Sequence, residues 1–151
     1  MRPTLQITVD CTDPRVLVTF WSTALGYVPE PPPGGAPSWA SFWRSIGVPE
    51  DELPDDEDHT TDSIVDPEGV RPRIWFQLVP EAKVVKNRVH LDLQVSGGRT
   101  VPLATRRERV DAEVGRLTEL GATRLRILGH EGMDYYGVVM HDPEGNEFCV
   151  A

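Results

Sequence analysis

A tetrapeptide that returns intact constrains this chain more than any other feature. Asp66-Pro67-Glu68-Gly69 recurs as Asp142-Pro143-Glu144-Gly145. Asp, Pro and Gly stand at the first, second and fourth places, where a type I turn favours them. An apolar stretch precedes each copy, Ser63-Ile64-Val65 in one and Gly137-Val138-Val139-Met140 in the other. A strand-like stretch follows each, Arg73 to Val79 and Asn146 to Val150. Each copy therefore predicts the turn of a β-hairpin near the end of one unit of a duplicated chain.

The beginnings of the two units match as well. Leu5, Ile7, Val9 and Cys11 alternate with Gln6, Thr8 and Asp10, and Val89, Leu91, Leu93 and Val95 alternate with His90, Asp92 and Gln94. Such alternation predicts a strand with one face on a core and the other on a polar space or solvent. A helix follows each strand. In the first unit Asp13 suits the cap and Pro14 the first helical position. Leu17, Phe20, Trp21 and Ala24 share a face there, and Gly26 ends the helix. In the second unit Val110, Val114 and Leu117 form the apolar face and Gly121 ends it. Further strands are expected over residues 39–46 and 60–65, and over residues 123–128 and 135–140. The loops fall at 29–37, 50–58 and 129–134. The order is strand, helix, three strands, twice: residues 1–80 and residues 89–151. A linker this short predicts that the modules pack together.

The chain has 151 residues, 39% of them hydrophobic, which is enough for a core and too many for a disordered chain. No apolar run approaches the roughly 20 residues that span a bilayer. The start of the chain leads directly into a strand pattern with no signal-like apolar region, so a cytoplasmic protein is expected. Two cysteines, Cys11 and Cys149, make no disulfide framework and read as buried, unbridged thiols. The net charge is −9, much of it from the acidic run 50–58. Without a basic patch, neither nucleic acid nor an anionic membrane is an expected partner. Arg106, Arg107 and Arg109 alternate with acids and read as a mixed helix surface.

Three segments carry a resemblance: Val9-Asp10-Cys11-Thr12-Asp13-Pro14 with Phe20-Trp21 and Leu25-Gly26-Tyr27; Lys86-Asn87-Arg88-Val89-His90-Leu91-Asp92; and Asp142 to Val150. Together they resemble the vicinal oxygen chelate superfamily, which includes glyoxalase I and the bleomycin-resistance, fosfomycin-resistance and extradiol dioxygenase proteins. More narrowly, the chain resembles its glyoxalase-like domain proteins. The resemblance implies an α+β fold in which two tandem βαβββ modules form a curved mixed sheet around a cavity, with helices outside. It also implies a divalent metal in that cavity, held by the first and last strands of each module. Carried over residue by residue, the ligands are Gln6, Gln77, His90 and Glu147, with Glu147 also the candidate proton shuttle. Strand parity leaves Trp75 as an alternative to Gln77 opposite Glu147.

Imidazole, carboxylate and amide oxygens suit Ni²⁺, Co²⁺, Mn²⁺ or Zn²⁺. The set nevertheless holds one carboxylate where glyoxalase I has two, and it lacks the second His of an extradiol dioxygenase, which disfavours dioxygenase activity. His90 and Glu147 also read as polar residues of a wet pocket with no metal. Asp92 either orients His90 or pairs with an arginine. Trp43, Trp75 and Tyr135, with Trp39 and Tyr136, are candidates for the pocket wall; ordinary packing is the favoured reading for Trp39 and Trp43. His59, His130 and His141 read as exposed or locally bonded, with His130 and His141 also within reach of a ligand at the cavity mouth.

Two functions follow. One is a protein that binds a small molecule in the cup between its modules, a flat ligand against Trp75, with weak or uncharacterised catalysis left open. The other is a metal-dependent lyase or isomerase of the glyoxalase kind. The resemblance also implies a homodimer.

Overall fold

The computed structural model describes residues 3–53 and 61–151. His59 and part of the acidic run lie outside them. The chain divides into two compact units, Met1–Val79 and Pro80–Ala151.

The first unit runs β1 (Gln6–Cys11), α1 (Pro14–Leu25), β2 (Val28–Pro29), α2 (Trp39–Ser45), β3 (Ser63–Val65) and β4 (Arg73–Leu78). Its sheet has the order β1-β4-β3-β2. β1 and β4 are parallel and the other pairs antiparallel. Asp13 accepts from the Arg15 N–H at 3.1 Å and Pro14 opens α1, while Gly26 closes it at φ 68°, a conformation that costs a glycine little. Leu17, Phe20 and Trp21 of α1 are buried with Ile64, Ile74 and Phe76 of the sheet. Each such side chain contributes about 1.5–3 kcal/mol by leaving water.

The second unit runs β5 (Asp92–Leu93), α3 (Leu103–Glu119), β6 (Thr123–Leu128), β7 (Gly137–His141) and β8 (Glu147–Val150), in the sheet order β5-β8-β7-β6. Val110, Val114 and Leu117 of α3 are buried, as are Val138, Met140, Phe148 and Val150 of the sheet. The α+β class and the doubled order of strand, helix and three strands are thus as the sequence leads one to expect. Both repeated turns form: Gly69 N–H donates to Asp66 O and Gly145 N–H to Asp142 O, each at 2.9 Å.

Three expectations need correction. Residues 39–46 form a helix, not a strand. Ser38 caps it by accepting from the Ser41 N–H at 3.1 Å, and Trp39, Phe42 and Trp43 stack at helical spacing, with Trp39 and Trp43 ring centroids 5.5 Å apart. The missing strand is the short β2, inside what reads as a proline-rich loop. The strand expected over 89–95 shrinks to Asp92–Leu93, and Val89 is exposed. Arg106, read as helix surface, is buried: its Nε–H donates to Val101 O at 2.9 Å and its guanidinium pairs with Asp134. Among the described residues no helix is long and apolar enough to cross a membrane.

Candidate functional site

In the first unit the alternation of β1 and β4 sends Ile74 and Phe76 to the core and Gln6, Arg73 and Trp75 to the opposite face. That face carries a cavity of about 450 Å³. Trp39, Trp43 and Trp75 supply its aromatic wall, and Gln6, Thr61, Asp62, Ser63 and Arg73 its polar one. Arg73 is the hub of the polar side. Its Nε and Nη2 donate to Glu30 Oε2 at 2.9 and 2.6 Å, Nη2 to Ser63 Oγ at 2.9 Å, and Nη1 to Gln6 Oε1 at 2.7 Å. Ser63 Oγ also donates to Glu30 Oε2 at 2.6 Å and lies 2.7 Å from Thr61 Oγ1. Burial works against the charge on Glu30, but the hydrogen bonds from Arg73 and Ser63 prevail and hold its carboxyl below the usual range.

In the second unit β5 lies parallel to β8, with Asp92 beside Cys149. His90 Nδ1 stands 2.9 Å from Asp92 Oδ1 and 3.9 Å from Cys149 Sγ. Asp92 thus contacts the imidazole of His90. Glu147 shares its face with Cys149, while Phe148 and Val150 turn to the core. Its Oε2 accepts from the Asn87 N–H at 2.8 Å, and Lys83 Nζ lies 3.4 Å away. The Asn87 bond, with Lys83 beside it, holds the Glu147 carboxyl below its ordinary value. Burial and the Asp92 carboxylate push the Cys149 thiol up, which does not suit a nucleophile. Tyr135 belongs to this unit and is half-buried.

Comparison with known proteins decides the family. The sequence model of the glyoxalase-like domain matches residues 6–151. The chain belongs to the glyoxalase-like domain family. It is therefore a member of the vicinal oxygen chelate superfamily. No curated protein matches it. Among solved structures it is similar to a glyoxalase/bleomycin resistance protein/dioxygenase family enzyme from Burkholderia phytofirmans, with 16% identity, a TM-score of 0.55 and coverage of 96% of this chain and 94% of that one. It is also similar to the fosfomycin resistance protein FosX from Listeria monocytogenes, with 11% identity, a TM-score of 0.55 and coverage of 99% and 92%. A mutant of the Listeria protein in complex with Mn(II) and dihydroxypropylphosphonic acid matches at 12% identity and a TM-score of 0.53, with coverage of 99% and 90%. Identities this low show a common fold and nothing finer.

For a glyoxalase-like protein the first unit is a poor half of a metal shell. The register sets Gln6 beside Arg73 and Gln77 beside Asp10. The two glutamines thus stand four steps, about 13 Å, apart along the ladder, farther than two amides on one ion span. Gln6 Oε1 is already taken by a guanidinium. The register also resolves the partner of Glu147. Setting Gln6 equivalent to His90 makes Thr8 equivalent to Asp92. Thr8 pairs with Trp75 and Asp92 with Cys149, so Arg73, neither Gln77 nor Trp75, is the counterpart of Glu147. The cause is hairpin length: Val70, Arg71 and Pro72 separate Gly69 from Arg73, where Asn146 alone separates Gly145 from Glu147. A cation thus stands where a second carboxylate ligand is wanted, and the four-residue shell does not fit this chain.

Arg73, Glu30, Ser63 and Thr61 escape the sequence reading, although parity alone puts Arg73 on the face of Trp75 and Gln77. Glu30 sits in a proline-rich stretch that carries no strand signal.

Proposed function

We propose that this glyoxalase-like protein binds a flat small molecule in the cavity of its first unit, without a metal. Trp75, with Trp39 and Trp43, supplies the stacking surface, and Gln6 and Arg73 the polar anchors. The observation that carries the reading is the cavity of about 450 Å³ with three tryptophans and one fixed polar network. Small-ligand sites are typically about 300–1,000 Å³, mostly apolar, with a few convergent polar groups. The pre-bonded guanidinium favours binding, because little side-chain entropy remains to be lost. The reading takes the protein to be a homodimer, as the resemblance implies; light scattering that returns one chain per particle removes the dimer.

A thermal-shift and tryptophan-fluorescence screen of flat heteroaromatic compounds, with and without chelator, tests the reading. The expected result is stabilisation that the chelator does not change, and affinity at least about tenfold weaker in Trp75→Ala. Hits that all require added metal reject it.

One observation favours a second reading, the metal-dependent lyase or isomerase. Asn87 Oδ1, in the residue that bonds Glu147, is buried without a hydrogen-bond partner, and a hydrated divalent ion held by His90 and Glu147 satisfies such an acceptor. That reading gains support from the Mn(II) complex of the Listeria relative. It expects Mn²⁺ or Ni²⁺ to raise the melting temperature of the wild type and not of Glu147→Gln.

A further inference from the structure

The second unit gathers three metal-ligating side chains where the segment entering β5 runs beside β8. His90, Asp92 and Cys149 each offer one ligand atom, and the three atoms all lie within 4.8 Å of one another. Asp92 and Cys149 belong to no shell described above, and His90 is the one member shared with the reading that pairs it with Glu147. We propose that they form a site for a soft or borderline divalent ion of the Zn²⁺ class, held by Nδ1 of His90, one carboxylate oxygen of Asp92 and the thiolate of Cys149.

The spacing suits that chemistry. Zinc bonds of about 2.3 Å to sulfur and about 2.0 Å to nitrogen and oxygen, at tetrahedral angles, set S–N at about 3.6 Å and N–O at about 3.3 Å. The sulfur stands 3.9 Å and the carboxylate oxygen 2.9 Å from Nδ1. An entering ion needs the two spacings to Nδ1 to change by about 0.3 and 0.4 Å and the sulfur–carboxylate spacing, which lies within 4.8 Å, to settle near about 3.6 Å; the side chains of His90 and Asp92 are 39% and 49% exposed and can adjust, while Cys149 is 9% exposed. The backbone already fixes Asp92 beside Cys149, since the two pair across the ladder and Cys149 N–H donates to Leu91 O at 2.9 Å. Three protein ligands and an open position remain, the pattern of a site that takes water or a ligand.

Charge and donor type select the ion. Thiolate and carboxylate together neutralise a divalent cation, and the thiol proton leaves to solvent on binding. A sulfur donor favours Zn²⁺, Co²⁺ or Cd²⁺ over Mn²⁺ or Mg²⁺. A Cys-His-Asp catalytic relay does not explain the arrangement. Asp92 and Cys149 approach the same ring nitrogen, whereas a relay needs one on each.

Titration of metal-free protein with Co²⁺ decides the matter. The expected result is one Co²⁺ per chain with an intense near-ultraviolet thiolate-to-cobalt band. Cys149→Ala, shown to be folded by circular dichroism, loses the band. Asp92→Asn weakens binding about tenfold or more, since even indirect partners of a metal are worth 10–100-fold. Glu147→Gln keeps the band. Binding with no thiolate band, or a band that survives Cys149→Ala, overturns the proposal. So does loss of binding in Glu147→Gln alone, which assigns the ion to the His90–Glu147 reading. Wild-type protein supplies a second measure. Zn²⁺ is expected to slow alkylation of Cys149, read by peptide mass spectrometry; an unchanged rate overturns the proposal even if the cysteine variant does not fold. None of these outcomes bears on chelator-independent binding in the first unit.

Discussion

The two units place different chemistry at equivalent strand positions. In the first, Gln6 faces Arg73; in the second, the counterparts are His90 and Glu147. One change of charge sign reorganises the surroundings. Arg73 draws in Glu30 and Ser63, and every bond of that cluster closes within the unit, leaving a tryptophan-lined hollow beside a neutralised ion pair. Glu147 draws in Lys83 and the Asn87 N–H instead, and leaves an imidazole, a carboxylate and a thiol close together beside β8. Duplication preserves the core-facing residues of the strands, where packing decides, and frees the opposite face, where single charges decide.

The strongest way to break this comparison is to give the first unit the charge of the second. Arg73→Glu sets a second carboxylate against Glu30, whose side chain is 25% exposed. Removing one partner of a buried pair costs about 3–5 kcal/mol; partial exposure at this site lowers the expectation to about 2–3 kcal/mol. The loss should show as a lower urea midpoint at unchanged slope. An unchanged midpoint means that the network does not hold β2, β3 and β4 together.

A milder change sharpens the same contrast. The depressed Glu30 carboxyl contributes stability above its ordinary value of 4.5, and that stability is lost as pH falls through the depressed value. Glu30→Gln should therefore cost about 1–2 kcal/mol at pH 7. The gap between wild type and variant should narrow on acidification below pH 4.5. A gap that stays constant down to pH 3 assigns the network's stability to packing and not to charge.

The core was legible and the site only in part, for one physical reason. Hydrophobic periodicity reports burial, so β1, α1, α3 and both hairpin turns stand out. Trp39, Phe42 and Trp43 mislead because aromatic residues favour strands, while their i, i+3, i+4 spacing and the Ser38 cap favour a helix. Arg73 was hidden by two additional hairpin residues, which shift the first unit's closing strand against the second's. Cys149 was legible as buried. Its shared face with Glu147 also follows from parity, but an apolar neighbourhood in sequence drew it into the core.

The repeated turns provide the smallest test, because both close with the same glycine bond while the groups around their aspartates differ. Asp66 collects the N–H groups of Glu68, Val70 and Arg71 and also binds the Arg71 guanidinium at 3.0 Å. Asp142 collects those of Glu144 and Asn146 and binds the Asn146 amide. The Arg71 side chain, together with the backbone donors, holds the Asp66 carboxyl well below the usual carboxylate range. Its contribution is present above the ordinary value of 3.8 and fades as pH falls toward the depressed one. Arg71→Gln should move the Asp66 titration, read from its carboxyl carbon resonance, upward toward the ordinary value. The urea midpoint at pH 7 should change little, since Arg71 is half-exposed and surface pairs contribute weakly. The turn itself should persist, because the Gly69 N–H still donates to Asp66 O. An Asp66 carboxyl that titrates at its ordinary value in the wild-type protein shows that the guanidinium is not bound in solution, and removes this difference between the two turns.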